Sequence, residues 1–141
     1  MAGVITLEVA TPERLLLKEQ VTEVELPGAN GAMGILPDHA PLLSELGSGP
    51  LGYTSPGAGR KYMAISGGYV EVLPDHVRVL ADKAEFASEI DLARAEKALE
   101  RANERLAHPP ADLDVARALN AMHRAKARIE AAKRTGINAH A

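Results

Sequence analysis

The stretch LPGANGAMGILPDHAPLL, residues 26–43, decides what kind of chain this is. Its glycines Gly28, Gly31 and Gly34 fall three apart, a spacing that invites reading as a backbone cradle for phosphate. Phosphate loops work because glycine amides aim at the ligand and a helix N-terminus follows. Here neither G-x-G-x-x-G nor G-x-x-x-x-G-K-[ST] is present, and Pro37 and Pro41 would interrupt any helix. The stretch therefore reads as a tight β loop with positive-φ glycines. His39 lies in it beside Asp38, while His76, His108, His123 and His140 are scattered without ligand spacing, so no metal site is expected. No Ser/His/Asp or paired-carboxylate arrangement stands out, and no catalytic residue is assigned.

Outward from the loop, the composition changes near Ala87. Residues 1–87 hold 11 of the 12 glycines and 7 of the 9 prolines, whereas residues 88–141 hold 15 alanines and one glycine, Gly136. Glycine and proline punctuate short strands, and alanine has the best helix propensity. Period-2 alternation supports the first half as β: Ile5, Leu7 and Val9 share one face, and so do Thr22, Val24 and Leu26. Val70 and Val72, a turn near Pro74–Asp75, then Val77 and Val79 read as a hairpin. Helices do not alternate with these strands, so a parallel nucleotide-binding sheet is not expected. The fold class is α+β, an antiparallel β-sandwich followed by an antiparallel two-helix hairpin, divided at 1–87 and 88–141.

In the second half Ser88 through Asp91 has the form of a capping box. Leu92, Ala95, Leu99, Ala102 and Leu106 then follow helical spacing, and Pro109–Pro110 breaks the helix. Asp112 is the expected new cap, ahead of a second stripe of Val115, Ala118, Met122, Ala125, Ile129 and Ala132. Gly136 suits a helix end. Such alanine seams bury little area, so the hairpin should lean on something else or move.

The chain's 141 residues are enough for one domain or a small domain with an appendage. It has no cysteine and so no disulfide framework. No apolar run reaches the roughly 18 residues of a membrane span, and the start lacks a signal-peptide pattern. The net charge of −3 hides an asymmetry: from Val115 onward six basic residues face the single acid Glu130. The basic end has no aromatic residue to stack on bases, so nucleic acid is not an expected partner. It offers a sharper constellation in Asp91 and Arg94 (i, i+3) and Arg124 and Arg128 (i, i+4). If the hairpin folds back these approach one another, and three guanidiniums suit a polyphosphate while Asp91 accepts from a base or ribose. The alternative is a capping acid beside a solvated basic face.

These residues resemble the epsilon subunit of the F-type ATP synthase. Residues 26–43 resemble the family's PG-x-x-G-x-x-G-[IV]-LP-x-H-x-PLL stretch. ISGGYVEVLPDHVRVLADKAE resembles its GG-[YF]-x-E-V…V-x-V-L-A-D-x-A-E stretch, and IDLARA its [IL]-D-x-x-R-A pattern. The resemblance implies a non-catalytic central-stalk subunit of a proton-translocating enzyme, peripheral on the cytoplasmic face of the bacterial inner membrane. Its sandwich would dock on the gamma subunit and the c-subunit ring, with Gly28, Gly31, Gly34 and His39 in the docking loop. The hairpin would fold on the sandwich or extend along gamma to restrain ATP hydrolysis, its basic end facing an acidic loop of a beta subunit. In some bacterial members the folded hairpin binds ATP as a regulator, and that motif maps onto Asp91, Arg94, Arg124 and Arg128, with Glu85 as a further ligand; no other cofactor is implied. Asp91 stays open between cap and ligand. The alternative function is a free-standing ATP-sensing adaptor, and a third is an enzyme using His39 and Asp38.

Overall fold

The computed structural model describes residues 3–139, and the side chains of residues 3–135. Eight strands come first: β1 (Ile5–Ala10), β2 (Leu15–Val21), β3 (Glu23–Gly28), β4 (Gly31–Ile35), β5 (Leu42–Glu45), β6 (Ser48–Thr54), β7 (Arg60–Leu73) and β8 (His76–Phe86). A 3-10 turn, Ala87–Glu89, leads into α1 (Leu92–Ala107) and α2 (Val115–Ala139). The α+β sandwich-and-hairpin architecture is as expected from the sequence. One pairing departs from the antiparallel pattern. β1 runs parallel to β8, with Thr6 to Ala10 opposite His76 to Leu80. Distance along the chain makes this possible, since no tight turn has to join the two strands.

The sandwich is made from one continuous ladder whose two long strands serve both layers. β7 pairs with β6 over residues 60–66 and with β5 over residues 69–72. β8 pairs with β1 through its first half and with the first half of β7 through its second. One layer is therefore β4-β3-β6 and the near halves of β7 and β8, and the other is β2-β1, their far halves and β5. The switch in β7 sits at Gly67 and Gly68, with φ of 70° and 114°. A Cβ on Gly68 would overlap Leu80 O and lie 2.8 Å from Ala81 Cα, so the strand can cross there only as glycine. The inward parity changes across this point, from Met63 and Ile65 to Val70 and Val72, and all four side chains are fully buried. With Ile5, Leu7, Val9, Val24, Leu26, Leu51, Val77 and Val79 they form the core between the layers.

The deciding stretch folds as the end of β3, a turn at Ala29–Asn30, β4, a second turn and the entry to β5. The expectation of positive-φ glycines holds only for Gly31, at 132°. Gly28 is fixed by space instead, because a Cβ there would crowd Gly31 O and meet Met33 Cε at 3.2 Å. Gly34 lies within β4 opposite Glu25, with open space where a side chain would be. The left-handed turn position that remains is taken by Asp38, at φ 65°.

Three local expectations about the helices are corrected. The N-cap of α1 is Asp91, whose Oδ1 accepts the Arg94 N–H at 3.1 Å, while Ser88 lies inside the 3-10 turn. The first turn of α2 is closed by Asp114, which accepts the Arg117 N–H at 3.0 Å, rather than by Asp112. Gly136 does not end the helix, which continues to Ala139. His140 lies outside the described residues.

Candidate functional site

The alanine stripes meet as their spacing requires: Ala95 and Ala102 of α1 and Ala118 and Ala125 of α2 are buried where the two helices pack. α2 also has a second buried face. Ala127 and Ala131 are 2% and 0% exposed, and they turn toward the sandwich rather than toward α1. Ala131 packs with Tyr62 and Ala64 of β7, with Ala87, and with half-buried Ile90. The sandwich face under α2 is itself low, with Pro50 and Gly52 on β6 beside Ala64 on β7, so the helix sits close to the sheet. Apart from Tyr62 and half-buried Ile90 the facing residues are small, which gives close contact but limited apolar area, so this seat is a weak one.

Ionic ties flank the seat. Arg128 Nε donates to Glu85 Oε1 and so joins α2 to β8. Further along α2, Arg134 Nη1 donates to Glu25 Oε1 at 3.2 Å, and Arg134 Nη2 donates to Glu130 at 2.8 Å. Glu25 also accepts from Arg60 Nη2 at 2.8 Å, and Arg60 reaches Glu23 at 2.9 Å. The two guanidiniums lie near the Tyr62 ring, 5.6 and 5.9 Å from its centroid, in cation–π geometry. Burial alone would raise the Glu25 pKa, but hydrogen bonds from Arg134 and Arg60 outweigh it and hold the carboxyl below its ordinary 4.5. Glu25 is thus the point where the sheet and α2 share one charge.

Beside the seat the sandwich, α1 and α2 leave two adjoining clefts. One, about 520 Å³, is lined by Glu85, Arg124 and Arg128 together with Arg14, Asp82 and Lys83. The other, an open groove of about 740 Å³, runs between the helices and again includes Arg124 and Arg128. Of the residues singled out for ATP, the structure brings these three together. Asp91 and Arg94 stand at the start of α1, exposed, and line neither cleft. Asp91 is engaged in capping, which the fold requires with or without a ligand. Among the described residues no group of three or more His, Asp or Glu is placed to hold a metal ion.

His39 sits at the sandwich surface, its Nδ1–H donating to Ala40 O at 2.7 Å. Gly31 and Gly34 are exposed nearby in sequence on β4, at an edge of the sheet, and Gly28 is half-buried at the end of β3. A larger exposed feature escaped the sequence reading. On the outer face of the far layer, Leu15, Ala10, Leu80 and Tyr69 are cross-strand neighbours over four adjacent strands. Leu15, Leu80 and Tyr69 are each more than half exposed, and Leu43 on β5 is 74% exposed. Contiguous apolar side chains in water mark a surface meant to be covered. The signal was present in the sequence: in HVRVLAD and GGYVEV apolar residues occupy both parities of the strand, not one.

Comparison with known proteins covers both the sandwich and the hairpin. The family model described as the ATP synthase delta/epsilon chain β-sandwich domain matches residues 4–87. The model for the long α-helix domain of the same chain matches residues 88–133. The ATP synthase epsilon chain of Solibacter usitatus is 52% identical, over 95% of this chain and 99% of the relative. That of Syntrophobacter fumaroxidans is 48% identical, over 96% and 100%. A chain of the Euglena gracilis mitochondrial ATP synthase superposes with a TM-score of 0.77 at 23% identity, over 96% of this chain and 82% of its own, a likeness of fold. Sandwich, hairpin and relatives together place this chain in the delta/epsilon-chain family of the F-type ATP synthase, whose epsilon members are non-catalytic subunits of the central stalk.

Proposed function

We propose that this subunit couples and regulates the synthase by dividing the work between its two parts. Residues 1–87 anchor it: the exposed row of Leu15, Ala10, Leu80 and Tyr69 covers itself against the gamma subunit. The loop with Gly28, Gly31, Gly34 and His39 turns toward the c-subunit ring. Residues 88–141 are the regulator: its helices lie on the sandwich in the conformation described here and extend toward the beta subunits when hydrolysis is restrained. Membrane association is indirect, through the complex, on the cytoplasmic face of a bacterial inner membrane. Among the described residues no helix is long and apolar enough to cross a membrane.

The observation that carries this reading is the seat of α2. It consists of Ala127 and Ala131 on a low sheet surface, flanked by partly solvated ion pairs. An interface of this kind can open at a cost of a few kcal/mol, which a partner surface can supply. ATP would favour the folded state through Arg124 and Arg128, with Glu85 as the carboxylate that holds Arg128 in place beforehand and Asp91 and Arg94 closing from α1.

The test uses the absence of native cysteine. Ala64→Cys and Ala131→Cys, which pack together in the seat, are combined and the chain is reassembled with the catalytic head and gamma. Oxidation should relieve inhibition of hydrolysis, and reduction should restore it. Equal inhibition in both redox states would mean that α2 does not leave the sandwich to inhibit.

A further inference from the structure

The arginines between the helices extend well past the pair assigned to ATP. Arg101 and Arg105 of α1 and Arg117, Arg124 and Arg128 of α2 all line one groove. On α2 they fall at 117, 124 and 128, on α1 at 101 and 105, and Arg94 continues that stripe one heptad earlier. Each stripe spans twelve residues, eleven steps or about 16 Å at a rise of about 1.5 Å per residue. Antiparallel packing puts Arg105 and Arg117 together at the loop end, and Arg94 and Arg128 at the open end.

Their surroundings leave these charges uncompensated. Among the described residues, Arg101, Arg105, Arg117 and Arg124 have no carboxylate within ion-pair distance, and Arg128 has only Glu85. The glutamates of α1 are not spread among the arginines. Glu96, Glu100 and Glu104 share another flank of the helix. Like charges at i, i+4 destabilise a helix modestly, and here Arg101/Arg105 and Arg124/Arg128 both have that spacing on facing helices. Asp112 and Asp114 stand only at the loop mouth, where Asp114 is engaged as the cap of α2.

We propose that this groove is a site for a linear chain of phosphates longer than a triphosphate, running from Arg124 and Arg128 to Arg105 and Arg117. The proposal rests on the phosphate end of the ATP reading and lengthens it. A triphosphate, whose end phosphorus atoms are separated by two bridging oxygens and one phosphorus, engages one end of the groove and leaves the other uncompensated. The chemistry selects phosphate over an acidic peptide. Both walls are helices with their backbone groups already bonded, and the floor is Ala98, Ala102, Ala118, Ala121 and Ala125. A peptide laid there would bury N–H and C=O groups without partners. A polyphosphate carries only acceptor oxygens, and guanidiniums are donors only.

The experiment titrates the full chain with three probes: inorganic polyphosphate of about 15 phosphates, long enough for a groove of about 16 Å, inorganic tripolyphosphate, and ATP. The long chain should bind at least about tenfold more tightly than tripolyphosphate, given two further charge-assisted contacts. Arg105→Gln with Arg117→Gln should remove that advantage and leave ATP within about twofold, since both side chains are exposed and neither packs in the core. Long-chain binding no tighter than tripolyphosphate, or unchanged in the double variant, overturns the extended site while leaving ATP sensing intact. Loss of ATP binding with retained, Arg105-dependent polyphosphate binding supports the groove and overturns the nucleotide reading. A polyglutamate peptide of equal charge that binds as tightly as the long polyphosphate overturns the phosphate assignment.

Discussion

Glu25→Gln removes one charge and leaves the side-chain shape, so it tests the tie between α2 and the sandwich with little other disturbance. The carboxylate accepts from Arg60 at 2.8 Å and from Arg134 at 3.2 Å. Only the second contact crosses from sheet to helix. Both partners are about one third exposed at the side chain, so the bond belongs between a solvated surface pair and a buried charge-assisted one. That places the loss in helix docking at about 1 kcal/mol, roughly fivefold in the population of undocked α2. Hydrogen exchange of the amides around Ala127 and Ala131 reads this population directly. Arg134→Gln should have a similar effect, and the double variant should show a coupling of about 0.5–1 kcal/mol between the two sites. The pH dependence follows from the depressed Glu25 pKa. The contribution is complete above the ordinary value of 4.5 and is lost as pH falls below that value through the folded one. Exchange at neutral pH unchanged by Glu25→Gln, with no coupling to Arg134, would mean that the seat is held by packing alone.

Three further outcomes follow from the geometry. Ala131→Leu forces a large side chain between α2 and Tyr62, and should cost about 1–3 kcal/mol of docking without unfolding the strands; selective proteolysis of the hairpin measures it. Gly68→Ala places a methyl against Leu80 O at φ 114°, and should lower stability to urea by about 3 kcal/mol or more. Asp91→Ala and Asp114→Ala should each cost about 1 kcal/mol of helix stability, whereas Asp112→Ala should be nearly silent; thermal melts followed by far-ultraviolet circular dichroism separate the three.

What the sequence discloses depends on whether a residue has one job or two. Ile5, Leu7 and Val9 have one, and their alternation names the buried face without ambiguity. Ala95, Ala102, Ala118 and Ala125 likewise follow from helical spacing. α2 has two buried faces, however, and in a helix this rich in alanine nothing local marks Ala127 and Ala131 as sandwich contacts. The caps show a similar limit. Ser88 and Asp91, or Asp112 and Asp114, are near neighbours with the same chemistry, and only the path of the chain decides which one caps. Parallel pairing of β1 with β8 joins residues about half the chain apart, beyond any local pattern. At the candidate site, the i, i+4 spacing of Arg124 and Arg128 was legible and Glu85 entered through family resemblance. The arginine-lined groove needed the helices to be placed side by side.

The crossing of β7 and β8 through both layers has a mechanical consequence for a part of a rotor. In a sandwich of two separate sheets, a twist applied to one outer face passes to the other through side chains that can slide. Here the backbones of two strands belong to both sheets. Shearing the layers would require opening the ladders that β7 makes with β6 and with β8. If the apolar outer row is the docking face, torsional force entering there would be carried through covalent chain and hydrogen-bonded ladder to the opposite layer. On the proposed division of work, the sandwich would turn as one stiff body and the weakly seated hairpin would supply the compliance.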